Sequence, residues 1–211
     1  MTLVEWILLV VGVLAVVGLA ALIVLAVAVG LARRPDRASV AVIDPDGLDE
    51  YFDRGAAFAV TVVERTPLSA SEVFGRLAGR PYLSSLPFLQ GPDWLVSPTS
   101  GGVGVGARRT MSGTIYSVSE QVICYEQDSQ IALTGTAVCT PATIRCFAER
   151  FTISPADRSG VTEVTWTVAG TPAWVGFLPW RWGAPLVAPV LAFVLRHMLR
   201  LGTFRVPRAA G

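Results

Sequence analysis

From Trp6 to Ala32 the chain is unbroken by any charged residue or proline. At ~1.5 Å rise per residue this run predicts a helix roughly 40 Å long, longer than the ~30 Å hydrocarbon core of a bilayer. A signal peptide would begin with basic residues and end at a small-residue cleavage site. Here Met1-Thr2-Leu3-Val4-Glu5 carries no basic residue, and Leu31-Ala32-Arg33-Arg34-Pro35 is a poor cleavage site. The run is therefore read as a retained single-pass anchor, residues 1–32. Arg33, Arg34 and Arg37 follow it and none precedes it, which predicts an outward N-terminus and a cytoplasmic C-terminal portion at the plasma membrane. Trp6 fits an interfacial position at the outer end. Ala26-x-x-x-Gly30 has small-residue spacing, but Ala and Gly recur throughout the run, so a plain lipid-facing helix is the expectation.

The pattern changes after Ala32. Residues 33–56 combine Pro35, Pro45 and Gly47 with Asp44, Asp46, Asp49, Glu50 and Asp53, and read as an acidic, solvated linker with one helical turn near Leu48–Phe52. From about Ala57 the chain alternates and becomes β-branched, predicting a strand from Phe58 to Thr66-Pro67. Ser69 with Glu72 three residues on forms a capping box, so a short helix is expected to about Ala78, stopped by Gly79-Arg-Pro. Residues 80–102 read as loop, with a short helix near Tyr82 and a short strand at Asp93–Val96. Five strand-like segments follow, near Val103–Met111, Tyr116–Glu126, Gln130–Val138, Thr143–Ile153 and Val161–Ala169. The turns between them are short, as in an antiparallel meander.

Pro185–Phe204 predicts a helix with Val187, Val190, Leu191, Val194, Met198 and Leu201 on one face. It is not read as a second span. Trp182–Leu195 is only ~21 Å long as a helix, and extending it brings in Arg181 or Arg196. Pro189 predicts a kink or a delayed start.

Composition narrows the function classes. The net charge is +1, and no basic stripe interleaves with aromatics, which argues against a nucleic-acid partner. All 17 basic residues are Arg, and Lys and Asn are absent, as a GC-rich genome would produce. Cys124, Cys139 and Cys146 form no C-x-x-C and read as reduced, buried thiols. One histidine, His197, cannot build a metal site, so no metal or cofactor is expected.

Three stretches carry a family resemblance. Val60-Thr-Val-Val-Glu-Arg-Thr-Pro-Leu-Ser-Ala-Ser-Glu-Val-Phe, Gly104-Val-Gly-Ala-Arg-Arg and Phe151-Thr-Ile-Ser-Pro-Ala-Asp-Arg-Ser-Gly-Val-Thr-Glu-Val-Thr-Trp appear in order. Together they resemble the START/polyketide cyclase (SRPBCC) superfamily over about residues 57–206, leaving 207–211 as a tail. The resemblance implies an α+β helix-grip domain, in which a curved seven-stranded antiparallel sheet wraps a long C-terminal helix around an apolar cavity. It also implies binding of lipids or other hydrophobic molecules, with cyclases or aromatases among the members.

Strand alternation selects inward-facing candidates. These are Arg109 and Met111, Ile131 and Leu133, Arg145, Phe147, Glu149 and Phe151, then Val164 and Trp166. The last helix adds Val190, Val194 and Met198. Arg109, Arg145 and Glu149 are the polar handles. Glu149, flanked by Phe147 and Phe151, pairs with one of the two arginines, contacts a ligand, or faces solvent; the sequence leaves these open. His197 reads as structural, and Gly101-Gly-Val-Gly-Val-Gly106 as a hairpin loop, because a strand and no helix follows it. Trp174, Phe177, Trp180 and Trp182 crowd the approach to the last helix. They either meet the membrane interface or cap the core.

Three functions follow as expectations. The first is a membrane-tethered binding, or transport, domain for a lipid or other hydrophobic small molecule, with residues 6–32 in the bilayer. The others are a polyketide cyclase-type enzyme and an anchored interaction module with a filled core.

Overall fold

The computed structural model describes residues 2–79, 86, 89–95, 103–156, 160–174 and 180–200. Helix α1 (Leu3–Ala32) opens the chain. Thr2 and Glu5 form a capping box at its start, each side chain meeting the other's backbone N–H. Its side chains are exposed from Leu3 to Val27, and only Ala32 is buried. From Trp6 to Val27 the helix is apolar on every side, and no other described part of the chain covers it.

The domain after it is α+β. Strands β2 (Phe58–Thr66), β3 (Leu89–Leu95), β4 (Arg108–Gly113), β5 (Ser117–Glu126), β6 (Gln130–Val138), β7 (Ile144–Pro155) and β8 (Thr162–Pro172) form an antiparallel sheet in the order β2-β8-β7-β6-β5-β4-β3. Helix α3 (Ala70–Ala78) follows β2, with Ser69 and Glu72 closing the expected capping box. Helix α4 (Ala184–Arg200) ends the described chain and packs chiefly on β2, where Arg196 Nε donates to Glu64 at 2.6 Å. Arg76 of α3 donates to the Leu199 carbonyl in the last turn of α4, where helix carbonyls lack partners of their own.

Several elements differ from expectation. β3 begins at Leu89 rather than Asp93, despite Pro92, because a register shift between Gln90 and Asp93 absorbs the proline. Val96 and the short helix expected near Tyr82 lie outside the described residues. β4 begins at Arg108 rather than Val103, because Gly106 takes φ +87° and turns the chain, with Ala107 N–H bonding Gly104. α4 runs continuously from Ala184 through Pro189.

The largest difference lies in residues 33–56, expected as a solvated spacer. Ala38–Ser39 form a short strand, β1, beside β6. The next residues bond to both β6 and β7, with Val40 N–H donating to Thr136 and Ala41 N–H to Arg145. A 3-10 turn (Pro45–Gly47), α2 (Leu48–Glu50) and a π turn (Tyr51–Gly55) then cross the outer face of the sheet. Leu48, Tyr51 and Phe52 are buried there against Ala132, Ala148 and Ala169. The five acidic side chains stay on the solvent side. The segment is amphipathic, and three small alanines on adjacent strands make the floor it fits. Each large apolar side chain so buried contributes roughly 1.5–3 kcal/mol.

The main core lies on the other face, between the sheet, α3 and α4, around Phe74, Leu77, Ile131, Leu133, Phe151, Val164, Leu195 and Met198. A separate open groove of about 360 Å³ lies where the end of α1 approaches the start of β3 and the end of β4, lined by Val29, Ala32, Arg33, Leu89 and Gly113 among others.

Candidate functional site

Among the described residues, the inner face of the sheet carries a connected polar group inside the apolar core. Arg109 on β4 is 1 % exposed. Its cross-strand partner on β5 is Glu120, and Arg109 Nε donates to Glu120 Oε2 at 2.7 Å. The same guanidinium pairs through Nη2 with Glu149 Oε1 on β7. Glu149 Oε2 in turn accepts from Trp166 Nε1 on β8 at 3.1 Å. Trp94 of β3, opposite Arg109, places its ring 5.5 Å from the guanidinium carbon. Phe151 stacks on Trp166 at 5.2 Å with the planes 11° apart. Five strands thus contribute to one chain of contacts.

That chain requires curvature. β4 and β7 are three strand spacings apart, ~14 Å in a flat sheet. An Arg and a Glu touch across that span only where the inner face curls and its side chains converge. Gly135 of β6 contributes at the same level. It faces Glu120, and the Phe147 ring lies over it in the space a side chain would take.

Two carboxylates on one guanidinium leave a formal charge of −1 in the core. Burying an ion costs several kcal/mol unless partners replace its water. Here Arg109 has both carboxylates and an aromatic face, and Glu149 has both oxygens engaged. The arrangement is preorganised: a fixed polar edge surrounded by Ile131, Leu133, Phe151 and Val164.

Of the residues expected to face inward, Arg109, Glu149, Ile131, Leu133, Phe151, Val164, Trp166 and Met198 are buried, and Met111 and Val194 pack partly against the same core. Phe147 is half-buried over Gly135. Two residues stand elsewhere. Arg145 is exposed, because the register shift between Ile144 and Cys146 interrupts the alternation that placed it with Glu149. Val190 is 60 % exposed, because α4 turns a different stripe to the sheet. Ala184, Ala188, Leu191, Leu195 and Met198 face the core, the alanines allowing close approach. His197 stacks on Phe193 at 6.2 Å on that helix. Trp174 and Trp182 are highly exposed, Trp180 is half-buried, and Phe177 lies outside the described residues. No group of His, Cys, Asp and Glu suited to a metal ion occurs among the described residues.

Glu120 and Trp94 were not anticipated. Glu120 was within reach of sequence reasoning: pairing Ser112 with Ser117 across the turn sets Arg109 opposite Glu120. Trp94 lay on a strand whose length the proline obscured.

The strand order, the helix after the first sheet strand and the C-terminal helix across the inner face decide the architecture. This is the helix-grip fold. Solved structures with similar coordinates include an uncharacterized protein from Bacillus thuringiensis, at 14% identity and TM-score 0.49, covering 67% of this chain and 96% of that one. Ara h 8.0201 is similar at 12% identity and TM-score 0.48, covering 67% and 95%. Truncated norcoclaurine synthase from Thalictrum flavum is similar at 10% identity and TM-score 0.48, covering 69% and 94%. No family model and no curated protein matches the sequence. At these identities the helix-grip likeness is one of architecture alone.

Proposed function

We propose that this protein is a membrane-tethered binding domain for a lipid or other hydrophobic small molecule, held between the curved sheet and α4. The observation that supports it most is the Arg109–Glu149–Trp166 group within the apolar inner face. Apolar walls with a few fixed polar groups suit a ligand that is greasy with one polar end. A buried ionic group is a poor source of stability, since apolar replacements often hold a fold as well or better. Its presence therefore favours recognition. Helix α1 is the tether, and Arg33, Arg34 and Arg37 at its end favour the cytoplasmic side for the domain.

The test is native mass spectrometry of the full chain released from detergent, with uptake of a pyrene-labelled fatty acid as the second readout. The expected result is bound lipid-like mass and saturable uptake. A chain that is empty and takes up no probe overturns the proposal.

A cyclase-type enzyme is the second reading, favoured by the burial of Arg109 and Glu149 together. General acid–base work needs a carboxylate within reach of the substrate's proton. Both oxygens of Glu149 are already engaged, by Arg109 and by Trp166, which favours binding over chemistry.

A further inference from the structure

The strand pairings define two ends of the sheet. One end gathers Leu89, Gly113, Ser117, Val138, Ile144, Pro172 and Phe58, through the pairs Leu89↔Gly113, Ser112↔Ser117, Val118↔Val138, Ile144↔Pro172 and Phe58↔Gly170. The opposite end carries the β5–β6 turn at Gln127 and Asp128. Helix α1 arrives at the first end. Val29, Ala32 and Arg33 line one groove with Leu89 and Gly113, Ala32 is buried, and Ser119 donates to Asp36 at 2.6 Å.

The same end exposes large apolar side chains from three separate segments. Ile115 sits at the β4–β5 turn and is 51 % exposed. Trp174, just past the end of β8, is 70 % exposed. Trp182 and Leu186, where α4 begins, are 81 % and 80 % exposed. α4 then leads away from this end, so that Arg196 meets Glu64 farther along β2. Scattered apolar side chains on a surface are ordinary, but a cluster containing two tryptophans on one end is not.

We infer that this end of the domain docks directly on the bilayer that holds α1, with Ile115, Trp174, Trp182 and Leu186 entering the headgroup–acyl boundary. The inference rests on the tethering reading. Three observations favour lipid as the occupant. First, α1 is about 45 Å long, against ~40–45 Å for a bilayer with its headgroups, so no length remains to lift the domain away. Second, the junction is short and held, because Ala32 is buried and, four residues on, Asp36 accepts from Ser119 on β5. Third, Arg33, Arg34 and Arg37 are exposed there and complement anionic headgroups, while tryptophan is favoured at the bilayer interface. A docked domain turns the start of α4 toward the bilayer, the source of a lipid-like ligand.

The test places a coumarin amino acid singly at Leu9, Ile115, Leu186 or Gln127 in the full chain. Each chain is reconstituted in phosphatidylcholine–phosphatidylglycerol vesicles containing lipid with a nitroxide high on the acyl chain. The expected result is quenching at 9, 115 and 186 and none at 127. The paired substitution Trp182→Glu and Leu186→Glu, at exposed positions, is expected to abolish quenching at 115. Quenching at 9 with none at 115 and 186 overturns the docking and leaves the tether standing. Absence of quenching at 9 overturns the tether as well. Emission at 186 that is unquenched by the nitroxide but shifts as chain density in the vesicle rises assigns the face to a second copy, and also overturns the docking.

Discussion

Arg109 sets the electrostatics of the inner face, and its removal leaves two carboxylates without their cation. Arg109→Met is expected to cost about 3–5 kcal/mol in a denaturant melt, the scale for a buried pair that loses one partner. Glu120→Gln is expected to cost much less, because Glu149 still balances the guanidinium. Equal losses for the two would show that the three groups do not share one charge balance. Tyr51 predicts an alkaline limit. Its hydroxyl donates to the Cys146 carbonyl at 3.1 Å on the outer face. Burial, then the Cys146 thiol, push its pKa well above the ordinary 10.0. Below pH 10 the folded and unfolded chains both hold the proton and the contribution is complete. Above about 10 the unfolded chain releases it while the folded one retains it, so stability falls as pH rises. Tyr51→Phe is expected to lose about 1 kcal/mol at neutral pH and to show a shallower decline above pH 10. An unchanged alkaline slope would assign the decline to other groups. Gly135 is a matter of space: a Cβ there would fall within the Phe147 ring. Gly135→Ala is expected to cost about 1–3 kcal/mol and Phe147→Ala in the same chain to recover part of it.

Elements with an internal signal were legible, and those defined by their neighbours were not. The capping box at Ser69 and Glu72 is local chemistry, and α3 begins where it says. Ser69→Ala is expected to lower stability by about 1 kcal/mol through the lost cap, measured as a shift in denaturant midpoint at unchanged slope. α4 shows the contrary case. Periodicity selects a valine-rich face through Val187, Val190 and Val194, but apolar residues flank it on both sides. The sheet chose the alanine stripe, which left Val190 and Phe193 outside. The segment 45–55 was read by its acids, which are indeed exposed. Its three apolar side chains acquire meaning only above Ala132, Ala148 and Ala169, which lie 80 to 121 residues along from Leu48, Tyr51 and Phe52.

For the whole molecule, that segment decides where a foldable chain begins. Residues 36–56 close the outer face and fill the opening between β6 and β7. A chain starting at residue 36 is expected to unfold cooperatively, and one starting at residue 57 to expose the alanine floor and aggregate; scanning calorimetry and size-exclusion chromatography distinguish them. A cooperative, monomeric chain from residue 57 would show the outer layer to be dispensable. Local pattern was enough for α1, the succession of strands and helices along the chain and the capping box, because helix length, alternation and turn chemistry are written within a few residues. The Arg109–Glu120–Glu149 group was beyond it. Its three residues come from three strands, and they meet only because the sheet curls, a property of eight strands packed against two helices. Register shifts moved Arg145 out of the site, and close helix approach turned Val190 out. Both are settled by long-range packing, which overrides the face that short-range pattern selects.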